Sequence, residues 1–156
     1  MSSTKSEDLE QPVVFDVHFA RKSLRLEFFD TSSPVPFTQL RPSVIVLCYS
    51  IIDRKSLSSV HTVWKEVVES HFNYDENIPV IMLGLKRDLR REKDPTSIFA
   101  QEAIGIAQQM RCDKYCECSS FTGELCKEVF EDIVKTAAMT TTESGGKSEP
   151  PACSLM

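Results

Sequence analysis

Apolar and polar positions along the chain fall into short runs whose periods predict its elements. VVFDVHFA (13–20) and SLRLEFFD (23–30) alternate or run apolar over strand length, separated by Arg21-Lys22, and predict a hairpin. SVIVLCYSI (43–51) is a near-continuous β-branched run, as expected of a strand covered on both faces, and IPVIMLG (78–84) is another. Between them, Leu57, Val60, Trp64, Val67, Val68 and His71 make one helical stripe, with Asp53 and Ser56 as N-cap candidates. SIFAQEAIGIAQQM (97–110) predicts a helix with Phe99, Ala103, Ile106, Ala107 and Met110 inward. KYCECS (114–119) predicts a short strand. ELCKEVFEDIVKTAA (124–138) predicts a long amphipathic helix through Leu125, Val129, Phe130, Ile133, Val134 and Ala137. SSPVPFTQLRP (32–42) holds three prolines and reads as loop. From residue 43 onward the order is β-α-β-α-β-α, which predicts an α/β fold with a parallel sheet flanked by helices. Residues 1–11 are polar and predict disorder, and residues 140–156 have a linker composition.

Composition narrows this. A chain of 156 residues, 41% apolar, 26% charged, with a net charge of −5, suits one soluble domain. Its mild acidity, without a basic stripe, argues against a nucleic-acid partner. No stretch approaches the ~18 consecutive apolar residues of a membrane span. MSSTKSEDLEQP lacks the charged-then-apolar order of a signal peptide, so a cytoplasmic chain is expected. Six cysteines then read as free thiols, mostly buried. A zinc site from Cys112, Cys116 and Cys118 is disfavoured, because Cys116 and Cys118 lie in a strand-like run and no CxxC pair occurs.

The candidate chemistry lies where the second buried strand ends, in VIMLGLKRDLRREKD (80–94). In parallel sheets ligands bind beyond the carboxyl ends of the strands. Asp88 and Ser119-Ser120 each follow a strand and should share that rim. A carboxylate there can accept two parallel hydrogen bonds from the edge of a base, an N–H beside an NH₂, as guanine presents. A lysine can lay its stem along the ring. By itself K-x-D is ordinarily a solvated surface pair; a serine pair past a later strand strengthens the case.

Several motifs in order resemble the Rho family of small GTPases, from about residue 12 to the end. LEFFDT is similar to the strand entering that family's D-T-A-G-Q-E switch, and Leu40-Arg41-Pro42 matches its L-R-P. GLKRDLR resembles its guanine-reading motif, as fungal members write it. ECSS (117–120) resembles its E-C-S-A, and FTGELCKEVFEDIVKTA its last helix. CSLM resembles its terminal prenylation box. The resemblance implies that Asp88 accepts from the guanine edge, that Lys86 packs along the base, and that the backbone around Ser119 and Ser120 meets the base carbonyl. Leu85 departs from the polar residue common there. It also implies GTP or GDP with Mg²⁺ as ligands, with Asp30 acting indirectly through the metal. Expected partners are exchange factors, GTPase-activating proteins, effectors and a lipid-shielding carrier. The expected role is signalling in cell polarity, actin or cell-wall control.

Against that pattern, the reading is an incomplete P-loop fold over residues 12–139, lacking the first strand, phosphate loop and first helix. No G-x-x-x-x-G-K-[ST] occurs. Gly145-Gly146-Lys147-Ser148 copies the letters only, in the tail. The family's P-T-V-F stands as Pro12-Val13-Val14-Phe15, so a valine replaces the metal-binding threonine. Ser33 replaces the switch glycine and Pro34 the water-orienting glutamine. No catalytic residue is therefore assigned, and GTP binding and hydrolysis are expected to be defective. Without the first strand and helix, the apolar faces of 43–49 and 78–84 are expected to lie open. Cys153 is the expected prenylation site, favouring farnesyl and giving reversible attachment to the cytoplasmic face of plasma or internal membranes. The alternatives are a membrane-tethered module that competes for Rho regulators, and a truncated product without function.

Overall fold

A computed structural model describes residues 12–30, 40–74 and 76–140. Strands β1 (Val13–Phe19) and β2 (Lys22–Phe28) form an antiparallel hairpin, Val13 opposite Phe28 and Phe19 opposite Lys22. Its turn is Ala20-Arg21, one residue earlier than the sequence suggests, with φ of 48° and 66°. Two positive φ values match the right-handed twist of the strands, but such a turn ordinarily takes Asn-Gly. Each side-chain-bearing residue here is held in a conformation costing about 1–2 kcal/mol. Installing Ala20→Asn with Arg21→Gly should stabilise the hairpin by about 1 kcal/mol. Slower amide exchange in β1 and β2 would register it.

Strands β3 (Ile45–Ser50), β4 (Val80–Leu85) and β5 (Lys114–Glu117) form a separate parallel sheet with β4 central. Val80 to Gly84 are all buried, in keeping with their apolar run. Gly84 is required by close approach: a β-carbon there would lie 3.0 Å from Tyr49 Oη and 3.2 Å from the Ile51 side chain.

Helix α1 is one run over 54–72, capped by Asp53, whose carboxylate accepts from the Lys55 amide at 3.0 Å. Ser56 lies inside it, its hydroxyl donating to the Asp53 carbonyl. The run widens to π-type turns at Val60–Trp64 and Val68–Phe72. The Ser59, Thr62 and Ser70 hydroxyls donate to carbonyls four residues back and compete with the helix ladder. Wider turns stretch the inward stripe to steps of four, 60, 64, 68 and 72. Phe72 therefore turns inward and His71, assigned to the stripe from sequence, is exposed. Helix α2 (Ala100–Gln109) starts later than predicted, so Ile98 is buried and Phe99 is exposed. Helix α3 (Cys126–Thr140) starts after Leu125, which has φ of 60° and points outward.

The core is in two clusters on opposite faces of the parallel sheet. One joins Leu47, Tyr49 and Met82 to α1 and α2; the other joins Ile81, Leu83 and Cys116 to Val129 of α3. The hairpin contributes to neither. It rests on α3 through Phe15 and Phe28, whose rings lie 5.4 and 6.3 Å from that of Phe130. Among the described residues, β2 pairs only with β1 and β3 only with β4. The space between is a cleft of about 430 Å³. The openness expected for residues 78–84 is thus absent, because helices cover β4. It falls instead on the hairpin and the free edge of β3. Residues 1–11, 31–39, 75 and 141–156, with the disorder, switch and tail readings made for them, lie outside the described residues.

Candidate functional site

β4 ends at Leu85, and the chain reverses through Lys86, whose φ of 61° and ψ of 40° are left-handed. A short 3₁₀ turn, Arg87–Leu89, follows and carries Asp88. β5 ends at Glu117 beside it. The Cys118 amide donates to the Gly84 carbonyl at 3.0 Å, and the Arg87 amide to the Cys118 carbonyl at 3.2 Å. Parallel pairing of the two strands therefore delivers their following loops to one rim.

Ser119 is fully buried, and its hydroxyl donates to Asp88 Oδ1 at 2.6 Å while accepting from the Thr122 amide at 3.2 Å. The Ser119 amide donates to the Glu124 carbonyl, and the Gly123 amide returns to the Ser119 carbonyl at 2.9 Å. Ser119 is thus spent on fixing Asp88 and closing its own loop. Its amide is not free for a ligand. Ser120, Lys86 and Asp88 are exposed on the same rim. Lys86, Asp88, Ser119 and Ser120 come together as the sequence placed them.

A bracing network beneath this rim escaped sequence reasoning. Arg90 donates to both Glu117 oxygens, at 2.5 and 2.9 Å, and Arg87 adds a contact at 3.2 Å. Tyr115 Oη donates to Glu117 at 2.7 Å and stands 2.5 Å from Tyr49 Oη, which then serves as the donor to Tyr115. Arg87 also pairs with Glu124. Burial pushes the Glu117 carboxyl up, but hydrogen bonds from Arg90, Tyr115 and Arg87 overcome it and hold the group below the usual range. Burial raises both phenols, Tyr49 to about 12. Arginines one turn apart, followed by a glutamate at a strand end, were the only sequence signal for this brace.

Asp30 stands elsewhere. It lines the cleft between the sheets, near the Cys48 thiol, which burial first of all, then Cys118 and then Asp30 push up. Cys153, Ser33 and Pro34 lie outside the described residues. For a guanine nucleotide the residues fit in part: the rim offers a fixed carboxylate and a lysine to a base. Among the described residues no glycine-rich run offers amides, lysine and hydroxyl to phosphates or a metal.

Comparison with known sequences accords with this geometry. Residues 3–139 match the sequence model of the Ras family. The chain is 30% identical over 155 residues to GTP-binding protein rho2 of Schizosaccharomyces pombe, covering 90% of this chain and 76% of that protein. It is 28% identical to GTP-binding protein RHO1 of Saccharomyces cerevisiae, covering 87% and 71%. It is 26% identical to Rho-related protein racL of Dictyostelium discoideum, covering 94% and 84%. Rim, element order and relatives agree: this chain belongs to the Ras family, as a Rho-type small GTPase.

Proposed function

We propose that residues 1–156 form a Rho-type signalling protein that recognises a guanine ring without gripping its phosphates, and that is not a GTP-hydrolysing switch. The Lys86–Asp88–Ser119 arrangement carries this reading. Ser119 orients the Asp88 carboxylate toward a base edge, and the left-handed Lys86 turns the chain from β4 into the rim that carries Asp88. Two charge-assisted hydrogen bonds supply about 3–6 kcal/mol. Lost translational and rotational freedom removes several kcal/mol. What is left corresponds to a dissociation constant of about 1 mM or weaker.

In this reading Cys153 carries a prenyl group that holds the chain reversibly on cytoplasmic membrane faces. One lipid without a basic patch gives weak attachment. A carrier that shields the lipid fits that weakness, and regulators of intact relatives are the partners such a chain would occupy. The exposed side of α1 favours this interaction role, since Val63 is 56% exposed.

Nuclear magnetic resonance titration of the purified chain with guanosine and with GDP, each with and without Mg²⁺, tests the nucleotide reading. The expected result is equal, roughly millimolar binding of both, indifferent to Mg²⁺. Asp88→Ala should abolish it, and GTP turnover should stay at the buffer rate. Micromolar, Mg²⁺-dependent GDP binding would overturn the proposal.

A further inference from the structure

We infer that Cys118 and Cys126 form an oxidisable dithiol, which a hydroperoxide closes reversibly to a disulfide tying the end of β5 to the first residue of α3. The chain between them is folded back on itself. Gly123 and Leu125 take left-handed φ values of 77° and 60°. The Ser119 amide donates to the Glu124 carbonyl at 3.0 Å, and the Gly123 amide to the Ser119 carbonyl at 2.9 Å. The Cys126 thiol donates to that same Ser119 carbonyl at 3.2 Å. Cys126 therefore sits beside the residue next to Cys118, and the two thiols, both free, are in hydrogen-bond contact.

Sheet geometry sets the other described cysteines apart. Cys116 and Cys118 are alternate residues of one extended run, which places their β-carbons about 6.6 Å apart, whereas a disulfide needs about 3.5–4.5 Å. Cys48 lies opposite Leu83, and Leu83 opposite Cys116, so the whole of β4 stands between Cys48 and β5. That separation is about 10 Å. Cys112 packs on the other core cluster, across the sheet. Cys126 is thus the described cysteine whose sulfur can bond to that of Cys118.

The two thiols differ in exposure, which orders the chemistry. Cys118 is buried in the cluster with Ile81, Leu83 and Val129, while Cys126 is half-buried at the start of its helix. Burial first, and the neighbouring Cys126 after it, push the Cys118 thiol up, so it stays protonated while Cys126 meets the oxidant. The Cys126 sulfur attacks the O–O bond of the hydroperoxide, gives it two electrons and becomes a sulfenic acid, and the other oxygen leaves as an alcohol or water. The Cys118 sulfur then attacks the Cys126 sulfur: the S–S bond forms, the S–O bond breaks, and water carries off the Cys118 proton. Closure gives up only the weak thiol bond to the Ser119 carbonyl, which keeps its bond from the Gly123 amide. The inference does not depend on the guanine reading, because it needs no nucleotide.

The test treats the full, reduced chain with a small excess of hydrogen peroxide, blocks the remaining thiols and digests after glutamate and lysine. Cys116 then leaves in residues 115–117, Cys118 in 118–124 and Cys126 in 125–127, so a link to any other cysteine, Cys153 included, is told apart. The expected product is 118–124 joined to 125–127, about 2 Da lighter than the two together, and parted again by dithiothreitol. In the intact oxidised chain, amide exchange at Gly123 and Cys126 should slow at least about threefold, because the link closes the loop that carries them. Cys126→Val should leave Cys118 reduced at the same dose of peroxide. Absence of the joined peptides from the oxidised native chain would overturn the inference, whether or not the variant folds. So would a Cys126 that passes to the sulfinic acid unlinked, or a Cys118 joined instead to another cysteine.

Discussion

Replacing Glu117 by alanine should cost about 3–5 kcal/mol of unfolding free energy, because it strips a buried carboxylate from its donors. Only 9% of the Glu117 side chain is exposed and 18% of that of Arg90. The substitution removes the acceptor of both terminal Arg90 nitrogens and of the Tyr115 hydroxyl, leaving Arg90 its Nε bond to the Ile98 carbonyl and Tyr115 its contact with Tyr49. Arg87, a third exposed, recovers water and adds little, which places the result toward the lower end. Removing Glu27, whose exposed pair with Arg25 spans 3.3 Å, should cost less than about 1 kcal/mol. Denaturant unfolding of both variants gives the comparison, and equal losses would refute a buried brace.

The same carboxylate sets a direction with pH. Hydrogen bonds hold the folded Glu117 carboxyl below the unfolded value of about 4.3, despite burial. Its contribution is therefore fully present above that value and is lost as pH falls through the folded one. Glu117→Gln should flatten the acid limb of the stability profile, and an unchanged acid limb would contradict this assignment. Because the brace ties Arg87 and Arg90 to β5, Glu117→Gln should also loosen the rim that carries Lys86 and Asp88.

The second large effect is expected in β4. Ile81 is fully buried between Cys116, Val129 and the neighbouring strands, and Ile81→Ala should cost about 2–5 kcal/mol, the lost transfer energy plus the cavity. Phe15 offers the contrast. It is 44% exposed and meets Phe28 and Phe130 edge to face at 5.6 and 5.4 Å. Phe15→Ala should cost only about 1 kcal/mol and lower exchange protection in the hairpin while β4 keeps its own. This difference follows from two sheets that share no ladder. If both substitutions lowered protection equally everywhere, the sheets would be one cooperative unit.

Much of this architecture is written locally. Among the described residues, the five strands and three helices lie about where period two, period three to four and continuous apolar runs put them, since those periods depend on neighbours in sequence. One departure follows a competing local bond, in α1, where back-bonded hydroxyls moved the stripe from His71 to Phe72, and the others fall at element ends. Lys86, Asp88, Ser119 and Ser120 were also legible, because each follows a strand that hydrophobicity makes plain.

The sequence by itself determined the order of elements, the parallel core sheet and the residues at its rim, all of which follow from side-chain polarity along short stretches. Tertiary structure alone decided which strands share hydrogen bonds, and that Ser119 spends its amide inside its own loop and its hydroxyl on Asp88. It also brought Glu117 to Arg90 across 27 residues. A backbone amide is chemically the same at every position, so its partner is set by what the fold places opposite it and not by the letter that carries it.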